Sequence, residues 1–204
     1  MENLKEYYKN LVMQYREIFV QVLNTMQGEI SALKHDEIRN YLDVEVEGHL
    51  ELQRNLIKKR REKFHCGLCG ACCRLAISEF SPAQLLEKAS KGDTYAKEFI
   101  STFTPYNDLS EPEKQFKLYL DLIKESGEKV FYYHCNKVTA DNKCSDYENR
   151  PSICKDYPDN PIQMLHPTCN FIGWHESIQK IVLTIKAISE IKTHFKKELE
   201  KGNL

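Results

Sequence analysis

Long apolar runs are missing from this chain: the longest are a few residues, as in Ile181-Val-Leu183, where a membrane span needs about 20. No membrane partner is expected. Net charge is almost missing too, with 29 lysines and arginines against 30 aspartates and glutamates, so nothing global favours nucleic acid or an anionic surface as partner. The opening residues, MENLKEYYKN, include acidic side chains and no uninterrupted apolar segment, unlike a secretory signal, and a cytoplasmic protein is expected. No Ser/His/Asp order or paired-carboxylate motif speaks for hydrolysis. No glycine-rich strand-to-helix turn suggests an S-adenosylmethionine site.

What is present is a globular composition, 41% hydrophobic and 29% charged over 204 residues, which suits one domain or one domain with a helical appendage. The chain also has eight cysteines. Cys66, Cys69, Cys72 and Cys73 fall within the run Cys66-Gly-Leu-Cys-Gly-Ala-Cys-Cys-Arg74, and Cys135, Cys144, Cys154 and Cys169 follow downstream. An even number of cysteines also fits disulfides, but that framework belongs to short exported chains. A longer chain with its own amphipathic helices and no export signal favours reduced, metal-binding thiols.

The spacing says which metals fit. One CxxC turn aims two sulfurs at one ion, and small residues at Gly67 and Gly70 let the backbone turn tightly and bring amides near the sulfurs. Cys66-x2-Cys69-x2-Cys72 has the spacing of the first three ligands of a bacterial-ferredoxin [4Fe-4S] cluster, whose fourth ligand is a distant cysteine. Zinc is the alternative, since eight thiolates make two tetrahedral sites with none left over. Soft thiolates suit both metals, so spacing alone does not choose. Side chains of adjacent residues usually point apart, so one of Cys72 and Cys73 ligates a different metal or does not ligate. Four thiolates around Zn²⁺ or a [4Fe-4S]²⁺ core leave a charge of about -2 to be balanced, and Arg74, Arg150 and Lys155 are placed in sequence to do so. With eight sulfurs available, His65, His134 and His166 are unnecessary as ligands.

Around this region the pattern is helical. Leu4, Tyr7, Tyr8, Leu11, Tyr15, Ile18, Phe19, Val22 and Met26 recur at steps of three and four, which predicts a helix over residues 3–26. Gly28 interrupts it, and a second stretch from Glu29 to Lys63, carrying Ile30, Leu33, Ile38, Tyr41, Leu42, Leu50, Leu56 and Ile57, is expected to break near Val44 to Gly48. The run Lys58-Lys-Arg-Arg61 reads as a cationic last turn exposed to water. Ser81-Pro82 predicts a helix start, with a turn at Lys91-Gly92-Asp93 and a resumption from Thr94 to Phe103. Ser110 with Glu113 matches a capping box for a further helix ending near Gly127.

Val130-Phe-Tyr-Tyr133 has strand composition, and Asn136 to Asn142 is expected to turn it back towards Cys144 as a short hairpin. Pro151 is expected at the first position of a helical turn carrying Cys154. The proline-rich segment from Asp156 to Pro167 should be irregular and deliver Cys169. From Gly173 to about Lys201, Ile178, Ile181, Ile185, Ile188, Ile191, Phe195 and Leu199 mark a long amphipathic helix. The expected fold is mainly α: a helical hairpin over 1–63, a small, irregular, cysteine-rich metal-binding domain over 64–172, and a C-terminal helix over 173–204.

The cysteine motifs also resemble a known family. CGLCGACCR, then Cys135, then Cys144, Tyr147, Arg150, Pro151, Cys154, Tyr157 and Pro158 resemble the two signatures of the YkgJ-type cysteine-cluster family, whose CxxCxxCC domain is described as zinc- or iron-chelating. The resemblance covers roughly residues 64–170 and implies metal binding through these cysteines. Members are often described as iron–sulfur proteins, and the cluster region of flagellin lysine N-methylase is similar. Lys155 stands where the family has arginine, and Cys135-Asn-Lys-Val138 replaces a Cys-Pro-Phe-Leu-like segment. Two function classes follow: a metal-binding module with a structural, electron-transfer or metal-handling role and an unidentified protein or redox partner, or a cluster-dependent enzyme acting on a protein side chain. In the enzyme, Glu79 and Asp146 are the candidate bases.

Overall fold

The structure, a computed structural model, describes residues 3–26 and 33–202. The expected break at Gly28 and the helical start at Glu29 and Ile30 lie outside the described residues, as does the side chain of Leu33. Two compact units share the chain: Met1–Phe64 with Gly173–Leu204, and His65–Ile172.

The first unit is helical. Helix α1 (Leu4–Met26) buries Leu11, Phe19 and Leu23 at the predicted spacing. Helix α2 (Leu33–Asn40) runs through a π-helical turn at Tyr41–Glu45 into α3 (Val46–Arg61). The predicted break near Val44 is therefore a widened turn: the Val46 amide reaches back five residues to the Tyr41 carbonyl, and the helix continues. Helix α9 (Ile172–Glu200) buries Ile178, Ile188, Ile191, Phe195 and Leu199. Phe19 stacks on Phe195 with ring centroids 5.5 Å apart, and both join Ile38, Leu42, Val46 and Leu50 in one core. The chain's single tryptophan, Trp174, is buried and donates its indole N–H to the Ile57 carbonyl at 3.2 Å. That bond ties the start of α9 to α3. The carboxylate of Glu47 accepts from Arg54 at 2.7 Å and from Lys192 at 2.5 Å.

The second unit packs short helices on a three-stranded antiparallel sheet. In chain order it holds α4 (Ala71–Arg74), β1 (Ala76–Ser78), α5 (Pro82–Ser90), α6 (Thr94–Thr102), β2 (Phe103–Pro105), α7 (Ser110–Glu125), β3 (Phe131–Cys135) and α8 (Ser152–Lys155). The β3 strand is central. Ala76 pairs with Tyr133 on one side, and Phe103 pairs with Cys135 on the other. The expected turn back to Cys144 lies just beyond β3: Val138 bridges to Cys144 antiparallel, and the Thr139 and Ser145 N–H groups donate to the Lys143 and Lys137 carbonyls at 2.8 Å each, while β3 itself pairs with β1 and β2.

Local signals set the starts of α5 and α6, where the Ser81 and Asp93 side chains accept from the Gln84 and Ala96 N–H groups. Ser81 and Gln84 make the reciprocal capping box that starts α5. The box expected at Ser110 does not form; the Asp108 carboxylate accepts from the Ser110 N–H at 2.8 Å and takes that place. Pro151 stands one residue outside α8 rather than inside it. Leu85, Ala89, Ala96, Phe99 and Tyr133 form one core between α5, α6 and the sheet, and Ile153 of α8 packs against it. Ala71, Leu75, Phe116, Tyr119, Leu120 and Ile123 form another, against which Cys69 packs. No helix among the described residues is long and apolar enough to cross a membrane.

Candidate metal centre

All eight cysteines are free thiols and all lie in the second unit. Three features draw the distant ones towards the Cys66–Cys73 motif. The pairing of β1 with β3 sets the end of α4 beside the strand that carries Cys135. The Arg74 guanidinium donates to the Asn142 side chain at 2.6 Å and to the Thr139 carbonyl at 2.8 Å, clamping the motif to the turn before Cys144. The two motif glycines then mark close approaches. Gly70 has φ +73, and a Cβ there would stand 2.7 Å from Asn142 Cβ and 3.0 Å from the Asn142 carbonyl. A Cβ on Gly67 would overlap the side-chain amide of Asn170, next to Cys169. The motif is thus pressed against the Cys144 turn at one glycine and the Cys169 loop at the other.

The electrostatic neighbours of each thiol follow the same division. Cys169 is pushed up by burial and by Cys69 and Cys66, against a hydrogen bond from the Phe171 N–H. Cys72 is pushed up by its hydrogen bond with Cys73 and by burial, with Cys66 and Cys69 as further neighbours. On the other side, Cys135 is raised by burial and feels Cys73 and Cys144, while the Lys137 N–H donates to its sulfur at 3.4 Å. Cys154, raised to about 11 mainly by burial, feels Cys73, Cys135 and Cys144. Cys73 is held down to about 7 by the hydrogen bond from Cys72 and by Arg150 and Arg74, against burial. Cys169 thus acts with Cys66 and Cys69, Cys154 acts with Cys73, Cys135 and Cys144, and the hydrogen bond between Cys72 and Cys73 links the two sides.

Other parts of the unit hold these groups in place. Helix α6 carries no cysteine, yet its Glu98 carboxylate accepts from the Ser152 hydroxyl at 2.6 Å and the Ile153 N–H at 3.1 Å, fixing the turn that presents Cys154. Tyr106 donates its hydroxyl to the Arg74 carbonyl at 2.6 Å. Tyr119 donates to the Met164 carbonyl at 2.8 Å, and burial, then Cys169 and Cys72, push its phenol up to about 12. Tyr157 is raised by burial and by Cys72, Tyr119, Cys169 and Cys69, which puts this residue of the second signature beside the first group. Glu98, Asn142, Asn170, Tyr106 and Tyr119 carried no sequence signal for this work.

Of the predicted charge partners, Arg150 lies over the Tyr147 ring at 3.5 Å, donates to the Tyr147 carbonyl at 2.9 Å and acts on Cys73 and Cys154. Arg74 acts on Cys73. Lys155 is exposed on α8. His134 packs on Tyr106, His166 sits edge-on to Phe116 and Tyr119, and His65 is exposed. Asp146, a candidate base, is engaged by Lys137 at 2.5 Å and by Asn149 at 2.8 Å. Two surface hollows, one along α1 at Met13 and Val20 and one between Pro105 and Tyr132, are lined by no cysteine.

Among the described residues, no three His, Cys, Asp or Glu side chains already stand in an arrangement that holds a metal ion. Neutral thiols have little to gain from crowding together; a bound metal would require them as thiolates and would offset their mutual repulsion. The donor set itself fits zinc or iron: soft sulfurs in fours, with guanidinium charge beside them.

A helical chain with eight free cysteines in one small unit belongs to the class of cysteine-rich metal-chelating domains. Residues 65–170 match the family model CxxCxxCC, titled "Putative zinc- or iron-chelating domain". That is just over half of the chain, and the chain belongs to this family. No curated protein and no solved structure matches it.

Proposed function

We propose that this protein binds metal through two four-sulfur ligand sets, Cys66, Cys69, Cys72 and Cys169 in one, and Cys73, Cys135, Cys144 and Cys154 in the other. The reading is supported by the two close approaches of the motif, Gly67 against Asn170 beside Cys169 and Gly70 against Asn142 before Cys144. In the first set, a CxxCxxC run with one distant cysteine is the ligand pattern of a [4Fe-4S] cluster, and we assign that cluster to it. The second set draws its sulfurs from four separated positions, and Arg74 and Arg150 offset the charge of about -2 that four thiolates and their metal carry.

When bound, an iron–sulfur cluster supplies one-electron transfer and a structural cross-link. The chain's own contribution is to fix the ligand loops through the Arg74 clamp, the Gly70 contact and the Glu98 carboxylate. The role is structural, electron-transferring or metal-handling, in the cytoplasm, with a protein or redox partner. A second reading, two tetrahedral zinc sites, is supported by the same division, because two sets of four sulfurs leave no thiol over.

Anaerobic purification followed by iron, sulfide and zinc analysis with a visible spectrum separates the two. A brown protein with equal iron and acid-labile sulfide supports the cluster. A colourless protein with zinc near about two per chain selects the second reading.

A further inference from the structure

The helical unit is discontinuous in the chain. Its two parts, Met1–Phe64 and Gly173–Leu204, are separated by the whole cysteine-bearing unit, His65–Ile172. Seating α9 on α3 therefore closes a loop of about a hundred residues, and the entropy lost grows with loop length. Each unit, taken by itself, brings the two ends of its chain together. In the helical unit the end of α3 meets the start of α9: the Trp174 indole donates to the Ile57 carbonyl at 3.2 Å, the Arg60 guanidinium donates to the Ser177 carbonyl, and a Cβ on Gly173 would stand 3.1 Å from the Phe64 ring. In the cysteine-bearing unit Gly67 lies against Asn170, and Cys69 and Cys66 act on Cys169.

The two ligand sets fall differently on this frame. Cys66, Cys69 and Cys72 follow Phe64 within eight residues, and Cys169 precedes Gly173 by four. The other set joins Cys73 to Cys135, Cys144 and Cys154, which lie well inside the intervening unit. Only a metal held by the first set ties the chain at one boundary of the helical unit to the chain at the other.

We propose that metal in the Cys66, Cys69, Cys72 and Cys169 set is the staple of the helical unit, closing the long loop at its two ends so that α9 stays on α3 when the chain between them opens. This rests on the two-set reading above, and it gives the first set a structural role that the second does not share. The path left from Phe64 to Gly173 through the staple is about ten residues, and shortening a loop from about a hundred residues to about ten favours its closure roughly 30-fold. The linkage is reciprocal: α3 and α9 packed together hold Cys169 near the Cys66–Cys72 run and raise the effective concentration of the fourth sulfur.

Trp174, the chain's single tryptophan, is buried at this joint, and its emission shifts to the red when α9 leaves α3. Urea unfolding of the full chain, purified anaerobically and followed by that shift, compares the parent with Cys169→Ser, Cys66→Ser and Cys144→Ser, with metal per chain measured on the same samples. Cys169→Ser should raise the equilibrium constant for exposing Trp174 by about tenfold or more, with about 30-fold as the ceiling, and Cys144→Ser should change it by less than about threefold. Cys66→Ser, at the other boundary, should match Cys169→Ser, and stripping the metal should bring their curves onto that of the stripped parent. Equal effects of Cys169→Ser and Cys144→Ser, no effect of either boundary variant once its metal is lost, or a difference that persists without metal each overturn the staple. A Cys169→Ser chain that keeps all its metal overturns the two-set reading beneath it, and the metal analysis tells the two failures apart.

Discussion

Replacing Gly70 by alanine probes the contact that presses the cysteine motif against the turn before Cys144. Two effects add. The residue sits at φ +73, where a Cβ costs about 1–2 kcal/mol. The new Cβ would also lie 2.7 Å from Asn142 Cβ and 3.0 Å from its carbonyl, and relieving such overpacking typically costs a further 1–3 kcal/mol or so. Gly127 separates the two terms, because it has the same φ of 73 with nothing within 4 Å of its Cβ position. Urea unfolding of the metal-free, reduced protein should therefore show Gly127→Ala destabilised by about 1–2 kcal/mol and Gly70→Ala by about 2–5 kcal/mol in total. Asn142 itself lies at φ 67, so Asn142→Gly removes the clashing carbon without backbone strain; it also removes the acceptor of the Arg74 bond, so Gly70→Ala should cost less in the Asn142→Gly background than in the parent. Equal losses for Gly70→Ala and Gly127→Ala would refute the close approach.

Three other outcomes are expected. In the metal-free protein at pH 7, Cys73, held near 7, is roughly half ionised where an ordinary thiol at 9 is about 1% ionised. Its lower nucleophilicity offsets part of that, so peptide mapping should find it alkylated several-fold faster than the other seven cysteines; a uniform rate would contradict the Cys72 hydrogen bond and the Arg150 and Arg74 charges that hold it down. Glu98→Ala should weaken metal binding by the Cys73 set and spare the Cys66 set, read by competition with a chromophoric chelator; equal weakening of both would show that α6 does not act through Cys154. Glu47 is held at about 2 by hydrogen bonds from Lys192 and Arg54. Its folded value lies below its ordinary 4.5, so the stabilisation is present above about pH 4.5 and lost as pH falls towards 2. The side chain is 42% exposed, which limits the effect to under about 1 kcal/mol. Glu47→Gln should remove that slope from acid-unfolding curves, and an unchanged curve would contradict it.

Features set by neighbours in sequence were legible without coordinates. Ser81 and Gln84 cap α5 because the donors and acceptors are three residues apart, and the 3.6-residue spacing of Ile178 to Leu199 predicted α9. At Ser110 the same logic misled: Asp108, two residues upstream, offered a carboxylate for the N–H. Strands β1 and β2 are three residues each, too short for an alternating pattern, and exist because β3 pairs with both. The turn from Asn136 to Asn142 back to Cys144 was legible, but the two flanking strands were not. The eight thiols stood out by number and spacing, but the contacts that bring the distant ones to the motif did not: Gly67 meets Asn170 and Gly70 meets Asn142, residues far apart in the chain. Glu98 was hidden for the same reason, lying 54 positions from Ser152.

The most direct measurement is metal content per folded chain in two single variants, Cys169→Ser and Cys144→Ser, purified anaerobically beside the parent protein. The account predicts that each variant empties one ligand set and keeps the other, and that the losses add in the double variant. If either substitution strips all the metal, or neither removes any, the eight sulfurs do not work as two sets of four.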